Sequence, residues 1–293
     1  MPLSFPGSPS VGQQSTQNGR TFSWTGYAWE LVAASGSGSL PSTITGSLSV
    51  AGDDQFGSVS LLLHGDSLVD SSSAARAVTA YGSASVSGTP KFGAGSILLA
   101  NDGDYLAVPS SSAFTFGTSD FAIEAWLYPT SYPADNAGGY LSTFLSRQAP
   151  LDHCWRFDLI GTATSFTSLS FTGMPDNGAG QTVSASYSFS LNQWYHVAVS
   201  RVSGVLYLFV NGVLQNAGGT SFTTNVKDSS AEVRVGRLGF DATYRYQYFG
   251  RIDEVRITKG SGRGYTSTFT APTEAYPNSA PYTLGNVTLT VSS

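Results

Sequence analysis

Charge is scarce in this 293-residue chain. Asp, Glu, Lys and Arg make up 11% of it, against roughly 25% in ordinary soluble domains. Lys91, Lys227 and Lys259 are its lysines, no basic run exists and the net charge is −5. That pattern excludes the electrostatic footprint of a nucleic-acid binder. The single cysteine, Cys154, excludes an intramolecular disulfide framework. Set between aromatics in DHCWRF, it reads as a buried, inert thiol. Long apolar runs are missing as well, so neither a helical span nor membrane insertion is expected. The amino terminus, MPLSFPGSPSVGQQ, has no basic n-region and no apolar stretch behind it. The expectation is therefore a protein made in a cytoplasm that does not leave it on a secretory signal of its own. Helix signals are also absent: no capped i, i+3, i+4, i+7 pattern is sustained anywhere.

What is abundant is strand and turn chemistry. Gly totals 33, aromatics reach 13% and apolar residues 41%, enough to bury a core. SLLLH (60–64), FAIEAWLYP (121–129), QWYHVAVSR (193–201) and EVRVGRL (232–238) typify about eleven runs rich in aromatic and branched residues. Gly, Asn, Asp, Ser and Pro clusters separate them, the spacing of an all-β sandwich or barrel. In VLYLFVNGV, Leu206, Leu208 and Val210 point one way and Val205, Tyr207 and Phe209 the other. Both faces are apolar, so a strand covered on both sides is expected. Asn211-Gly212 then predicts a type I′ hairpin turn.

Around this region the chain changes character. Residues 18–32 read as a small hairpin with Trp24 and Trp29 projecting, part of an N-terminal docking module over 1–32. Such a module is too short to bury a sufficient core alone. Residues 33–58 are Ser- and Gly-rich and read as a linker arm. The main domain is placed at 59–277. A tail at 278–293 alternates through Leu284, Val287, Leu289 and Val291 as one more strand, which should pair elsewhere.

SLLLHGDSLVDSS (60–72), KFGAGSILLANDGDYLAVPSSSAFTFGTSDFAIEAWLYP (91–129), NQWYHVAVSRVSGVLYLFVNGV (192–213) and YFGRIDEVRITKGSGRGYTSTFTAPTEAYP (248–277) together resemble the laminin G-like, concanavalin A-like domain. The resemblance implies a two-sheet antiparallel jelly-roll sandwich. FPGSPSVGQQSTQNGRTFSWTGYAWELV is similar to a segment repeated in bacteriophage tail and fibre proteins, especially of phages infecting cyanobacteria and other aquatic hosts. Together these imply a virion surface protein, a tail-fibre or capsid-appendage component. Its N-terminal module would join other virion proteins and its sandwich would adhere to a host-surface glycan. The alternative is a purely structural decoration subunit making only protein contacts. Homo-oligomerisation follows from the flanking segments, and a trimer from the habit of phage fibres.

Candidate sites follow. Asp253 and Glu254 adjoin within a strand, so their side chains are expected on opposite faces and cannot form a catalytic pair. The resemblance implies a structural Ca²⁺ between the last strand and an early loop, here Asp253 with Asp102 and Asp104. The competing reading is that such acids cap turns by accepting backbone N–H bonds. Laminarinase-type hydrolases share the fold, but Glu124 has no Glu-x-Asp-x-x-Glu around it, and a retaining glycosidase needs two carboxyl groups. No enzyme is expected. Sugar binding asks for aromatic faces beside amides and acids, which points to Tyr244, Arg245, Tyr246 and Tyr248 and to Asn177. Alternating tyrosines equally suit packing at a core edge. Trp126, Trp155 and Trp194 read as core, and His196 as a satisfied strand histidine.

Overall fold

The computed structural model describes residues 5, 7–17, 20–32, 43–133, 140–149, 152–238 and 246–290, with the backbone alone at 43–50 and 284–290. The chain divides into two compact units, Met1–Ser49 with Thr283–Ser293, and Val50–Tyr282.

In the first unit β1 (Gln14–Gln17), β2 (Arg20–Trp24) and β3 (Trp29–Leu31) form a three-stranded antiparallel sheet. Trp24 and Trp29 oppose each other across the β2–β3 hairpin with ring centroids 5.7 Å apart. Phe5 stacks on Trp29 at 5.0 Å. The two tryptophans thus form the module's own small cluster instead of simply projecting. β4 (Thr43–Val50) arises within the stretch expected to be a linker, and it pairs with the terminal strand Tyr282–Thr290. The C-terminal strand therefore finds its partner inside the same chain.

The second unit opens with β5 (Val59–Leu63), β6 (Thr79–Tyr81), β7 (Ser85–Ser87), β8 (Ser96–Leu99) and β9 (Tyr105–Val108). Long strands follow: β10 (Phe121–Pro129), β11 (Leu141–Ala149), β12 (Asp152–Thr162), β13 (Ser165–Gly173) and β14 (Gln181–Phe189). The remainder are β15 (Tyr195–Val202), β16 (Val205–Val210), β17 (Val213–Leu214), β18 (Thr220–Ser221), β19 (Val233–Val235) and β20 (Gly250–Lys259). The larger sheet has nine strands in the order β17-β16-β15-β10-β20-β8-β7, with β18 beside β16 and β5 beside β20. The smaller has seven, in the order β14-β13-β12-β11-β19-β9-β6. The expected antiparallel sandwich is what forms. Among the described residues no helix is long and apolar enough to cross a membrane.

The core lies where the period-2 pattern puts it. Phe121, Ile123, Ala125 and Leu127 of β10 face inward with Val197 and Val199 of β15 and Leu206, Leu208 and Val210 of β16. From the smaller sheet come Phe157 and Leu159 of β12, Leu169 and Phe171 of β13, and Val233 and Val235 of β19. Aromatic rings lock the layers: Phe116 stacks on Phe121 at 4.2 Å and lies 5.3 Å from Trp155. The Trp155 indole donates to the Phe114 carbonyl at 3.1 Å, so its one polar atom costs nothing to bury. Trp194, expected in the core, is only half-buried.

The outer face of the larger sheet is covered by its own chain. Phe209, turned away from the sandwich interior on β16, packs against Phe269 at 5.1 Å. Tyr265 stacks on Phe269 at 4.1 Å. Of the outward residues of VLYLFV expected to be covered, Phe209 is buried beneath residues 261–277, while Val205 and Tyr207 stay half-buried. The hairpin after it also forms: Asn211 and Gly212 have φ of 50° and 76°, and Val210 pairs with Val213.

One close approach fixes how β20 enters the sheet. Gly250 has φ of 148°, and a Cβ there would meet the Tyr128 carbonyl oxygen at 2.2 Å. Gly250→Ala is expected to lower stability by about 2 kcal/mol or more, because backbone on both sides must shift. A urea titration of the variant beside wild type checks this, and an unchanged midpoint would refute it.

Candidate binding cleft

Glu124 leaves β10 on the covered outer face and is fully buried there. Arg256 of β20 donates to Glu124 Oε2 through Nε at 2.9 Å and Nη2 at 2.7 Å. Its Nη1 reaches Asp53 Oδ2 at 3.2 Å, and Arg263 donates to the other Asp53 oxygen at 2.6 Å. The Arg256 guanidinium lies 3.6 Å from the Tyr276 ring centroid, and the Tyr276 hydroxyl is 3.0 Å from His196 Nε2. Burial alone would raise the Glu124 carboxyl. The Arg256 guanidinium, helped by His196 and Arg263, overrides it and holds the group well below its usual range. Such a carboxylate stays ionised, and Asp53 shows that residues 51–58 belong to this packed layer, not to a linker.

The opening acids of β20 behave differently from expectation. Inward-facing Ile252, Val255 and Ile257 are spaced by three and then two residues. The register between β10 and β20 slips between Glu124 and Trp126, and Glu254 takes φ of 49°. This β-bulge turns Asp253 and Glu254 away from the interior together, not to opposite faces. Glu254 accepts the Tyr276 N–H at 2.8 Å and lies 2.9 Å from His64 Nδ1. That contact raises the His64 pKa against the effect of burial. Asp253 accepts the N–H groups of Lys91, Phe92 and Glu254, while its burial pushes the carboxyl up to about 7.

The Ca²⁺ set expected from Asp102, Asp104 and Asp253 does not assemble. Asp253 sits by the Ser96 end of β8, where a Cβ on Gly65 would meet both. Asp104 lies past the other end of β8 and accepts the N–H groups of Ala100, Asn101 and Ser83. Asp102 is exposed on the turn between β8 and β9. Among the described residues no group of three or more His, Cys, Asp and Glu is arranged to hold a metal ion. Asp104 and Asp253 serve as caps for loop N–H groups.

The expected sugar-binding tyrosines also part company. Tyr248 is fully buried in the core, and its hydroxyl donates to the Arg251 carbonyl at 3.1 Å. It is packing, not a ligand contact, because its neighbour Gln247 bridges to Thr143 and turns the chain inward. Tyr246 is half-buried and uses its carbonyl to accept the Thr143 N–H at 2.8 Å. Asn177 is exposed in the loop between β13 and β14. Tyr244 and Arg245 lie outside the described residues.

An open cleft lies instead on the outer face of the smaller sheet, where β6, β9, β11 and β19 meet. Its volume is about 490 Å³. Tyr81, 42% exposed, stacks flat on Tyr105 with centroids 4.5 Å apart and planes 2° from parallel. The Arg234 guanidinium lies 4.7 Å from the Tyr105 centroid, and its Nε donates to Glu232 at 2.7 Å. Thr79, Ser110, Gln148 and Ser230 are the other polar residues of the lining. Farther along the same sheet Ser184 Oγ donates to Ser170 Oγ at 2.9 Å, and the Thr172 and Thr182 hydroxyls are also 2.9 Å apart. Sequence reasoning missed these cleft residues. One signal was legible: in EVRV, Glu232 and Arg234 alternate with core Val233 and Val235, which puts both charges on one outer face.

Residues 100–261 match the laminin G-type family model described as the concanavalin A-like lectin/glucanases superfamily, just over half of the chain. The chain belongs to this family. No curated protein matches the laminin G-like chain by sequence. Among solved structures it is similar to the binding domain of Paraclostridial Mosquitocidal Protein 1, at 16% identity and a TM-score of 0.54, covering 71% of this chain and 50% of that one. The binding domain of botulinum neurotoxin serotype G gives 16% and 0.53, over 70% and 48%. Botulinum neurotoxin type C, which depends on two ganglioside molecules to get into cells, gives 15% and 0.52, over 72% and 50%. At such identity the likeness is one of fold, and the laminin G-like chain spans about half the length of these structures.

Two outcomes are expected from the buried acids. Glu124→Gln leaves Arg256 short of a counter-charge and should cost about 3 kcal/mol. Because the folded carboxyl is held low, that contribution is complete above pH 4.5 and fades as pH falls, so the two proteins should converge in acid. Asp158 carries the opposite sign. Burial pushes it up to about 6, against Arg156 and the Thr143 hydroxyl. Asp158 should therefore withdraw on the order of 3 kcal/mol of stability as pH rises from about 4 to 6, beside the share of Asp253, whose carboxyl is pushed up to about 7. Asp158→Asn should show a slope shallower than wild type by that amount, as thermal melts across the range would record.

Proposed function

We propose that this laminin G-like protein is a glycan-binding adhesion component of a virion surface, a tail-fibre or appendage part held through its N-terminal unit. The cleft carries the reading: an exposed tyrosine face backed by a second ring, beside a carboxylate, a guanidinium and the exposed Thr79 and Ser230, offers a pyranose both stacking and hydrogen bonds. Family membership in a lectin and glucanase superfamily supports the substrate class, as does the presence of binding domains among proteins of like fold. The virion placement draws on the resemblance of the segment ending in TFSWTGYAWELV to phage tail segments. In this reading the tryptophan hairpin is the attachment point.

The same residues support binding without catalysis. Among the described lining residues Glu232 is the one carboxylate, whereas retaining hydrolysis takes two carboxyl groups about 5 Å apart. Glu124 is committed to Arg256 beneath the covering chain.

The test is binding of labelled full-length protein to host envelopes and to purified host polysaccharide. Saturable binding, competed by free sugar and weakened about tenfold by Tyr81→Ala, is expected, since a lost stacking partner is worth roughly 1 kcal/mol or more. Absence of binding by the assembled protein would leave a purely structural decoration subunit.

A further inference from the structure

Resting on the reading of the cleft as a sugar site, we infer that Glu232 and Arg234 act there as one specificity-determining pair. The pair reads adjacent hydroxyls of a neutral sugar unit and turns charged sugars away. The sheet register places it. Tyr105 of β9 lies opposite Tyr81 of β6, and Ala107 lies opposite both Thr79 of β6 and Arg234 of β19. Val233 and Val235 point into the core, so Glu232 and Arg234 leave the sheet on its outer face, with the tyrosines. Ala107, Pro109, Ala149 and Ala231 also line the cleft, and side chains that short leave depth beside the charged pair.

The pair is held in place but not used up. The Arg234 guanidinium rests 4.7 Å from the Tyr105 centroid and donates its Nε–H to Glu232 Oε1 at 2.7 Å. Among the described residues its terminal nitrogens and Glu232 Oε2 have no hydrogen-bonding partner. Those atoms are open: the two side chains are 20% and 32% exposed, and neither residue is among those with sealed, unpartnered polar atoms. Donors and an acceptor are thus fixed side by side before a ligand arrives.

That arrangement selects the ligand. A carboxylate or phosphate would suit the free edge of Arg234 but meet a like charge at Glu232. An ammonium group meets the reverse conflict. Two neighbouring hydroxyls satisfy both, one donating to Glu232 and the other accepting from Arg234. Asp152 and Arg147, which touch the lining at Ser230 and Ser110, are paired in turn with Lys227 and Asp228, each at 3.0 Å. Arg237 lies 5.2 Å from the Tyr105 centroid but outside the lining. At about 490 Å³ the cleft has room for roughly one or two sugar rings.

The experiment is titration calorimetry of the full-length protein at mildly acid pH, where uronates and sugar amines are both charged. The ligands are neutral oligosaccharides of glucose, galactose and mannose, oligogalacturonate, and glucosamine oligomers. Wild type, Glu232→Gln, Arg234→Gln and Tyr81→Ala are compared, each with its melting temperature. Wild type should bind a neutral sugar and neither charged one. Each exchange in the pair should weaken the neutral sugar about tenfold. Glu232→Gln should gain oligogalacturonate, and Arg234→Gln the glucosamine oligomers, because the repelling charge is gone. Melting temperatures should stay near wild type, since a partly exposed ion pair adds little stability. A merely structural pair would not change the charge class of the ligand. If one variant fails to fold, the other carries the test. Tyr81-dependent binding of a charged sugar by wild type, neutral binding indifferent to both exchanges, or no gain of a charged sugar by either variant overturns the inference and leaves the glycan reading standing. If no saccharide binds, both fall.

Discussion

Arg256 holds the sandwich to the chain that covers it. Its guanidinium joins Glu124 of the neighbouring strand to Asp53 of the segment before β5, with Tyr276 of the segment after β20 against its face. Arginine suits this post because a planar fork can serve two carboxylates and a ring at once. Burying these charges separately would be prohibitive, and burying them together repays much of the desolvation. Segments far apart in sequence are thereby tied to one point on the larger sheet. The apolar outer side of β16 depends on that tie, since Phe209 would otherwise face water.

The covering layer divides the labour between the sheets. The larger sheet is covered by residues 51–58 and 261–277 of its own unit. The smaller sheet has its cleft at the β6, β9 and β19 end, with a stacked tyrosine pair and a neutralised charge pair, while outer-face residues of β11 to β13 such as Thr143, Asp158 and Ser170 are buried.

Strands and tight turns were legible because their causes are local. The alternation in FAIEAWLYP and VLYLFV places core residues directly, and Asn211-Gly212 writes its own turn. The bulge at Glu254 was hidden, since nothing in GRIDEVRIT announces an extra residue. It exists because β10 and β20 pair in two registers on either side of Glu124 and Trp126. The acids expected to bind metal became caps, a role open to any aspartate beside a turn. Tyr248 followed its neighbour Gln247 inward although its spacing suggested a surface row. The cleft was the least legible part. Tyr81, Tyr105, Gln148 and Arg234 sit on four strands that only the order of the sheet brings together.

The internal pairing of Arg234 with Glu232, on a surface otherwise clad in serine and threonine hydroxyls, bears on where this laminin G-like protein can work. A grip made from stacking and neutral hydrogen bonds has little long-range Coulomb attraction for dissolved ions to screen. Polybasic adhesion weakens steeply as ionic strength rises. In the adhesion proposed above, attachment through this cleft would change little between dilute and saline media, and it would forgo electrostatic acceleration of the first encounter.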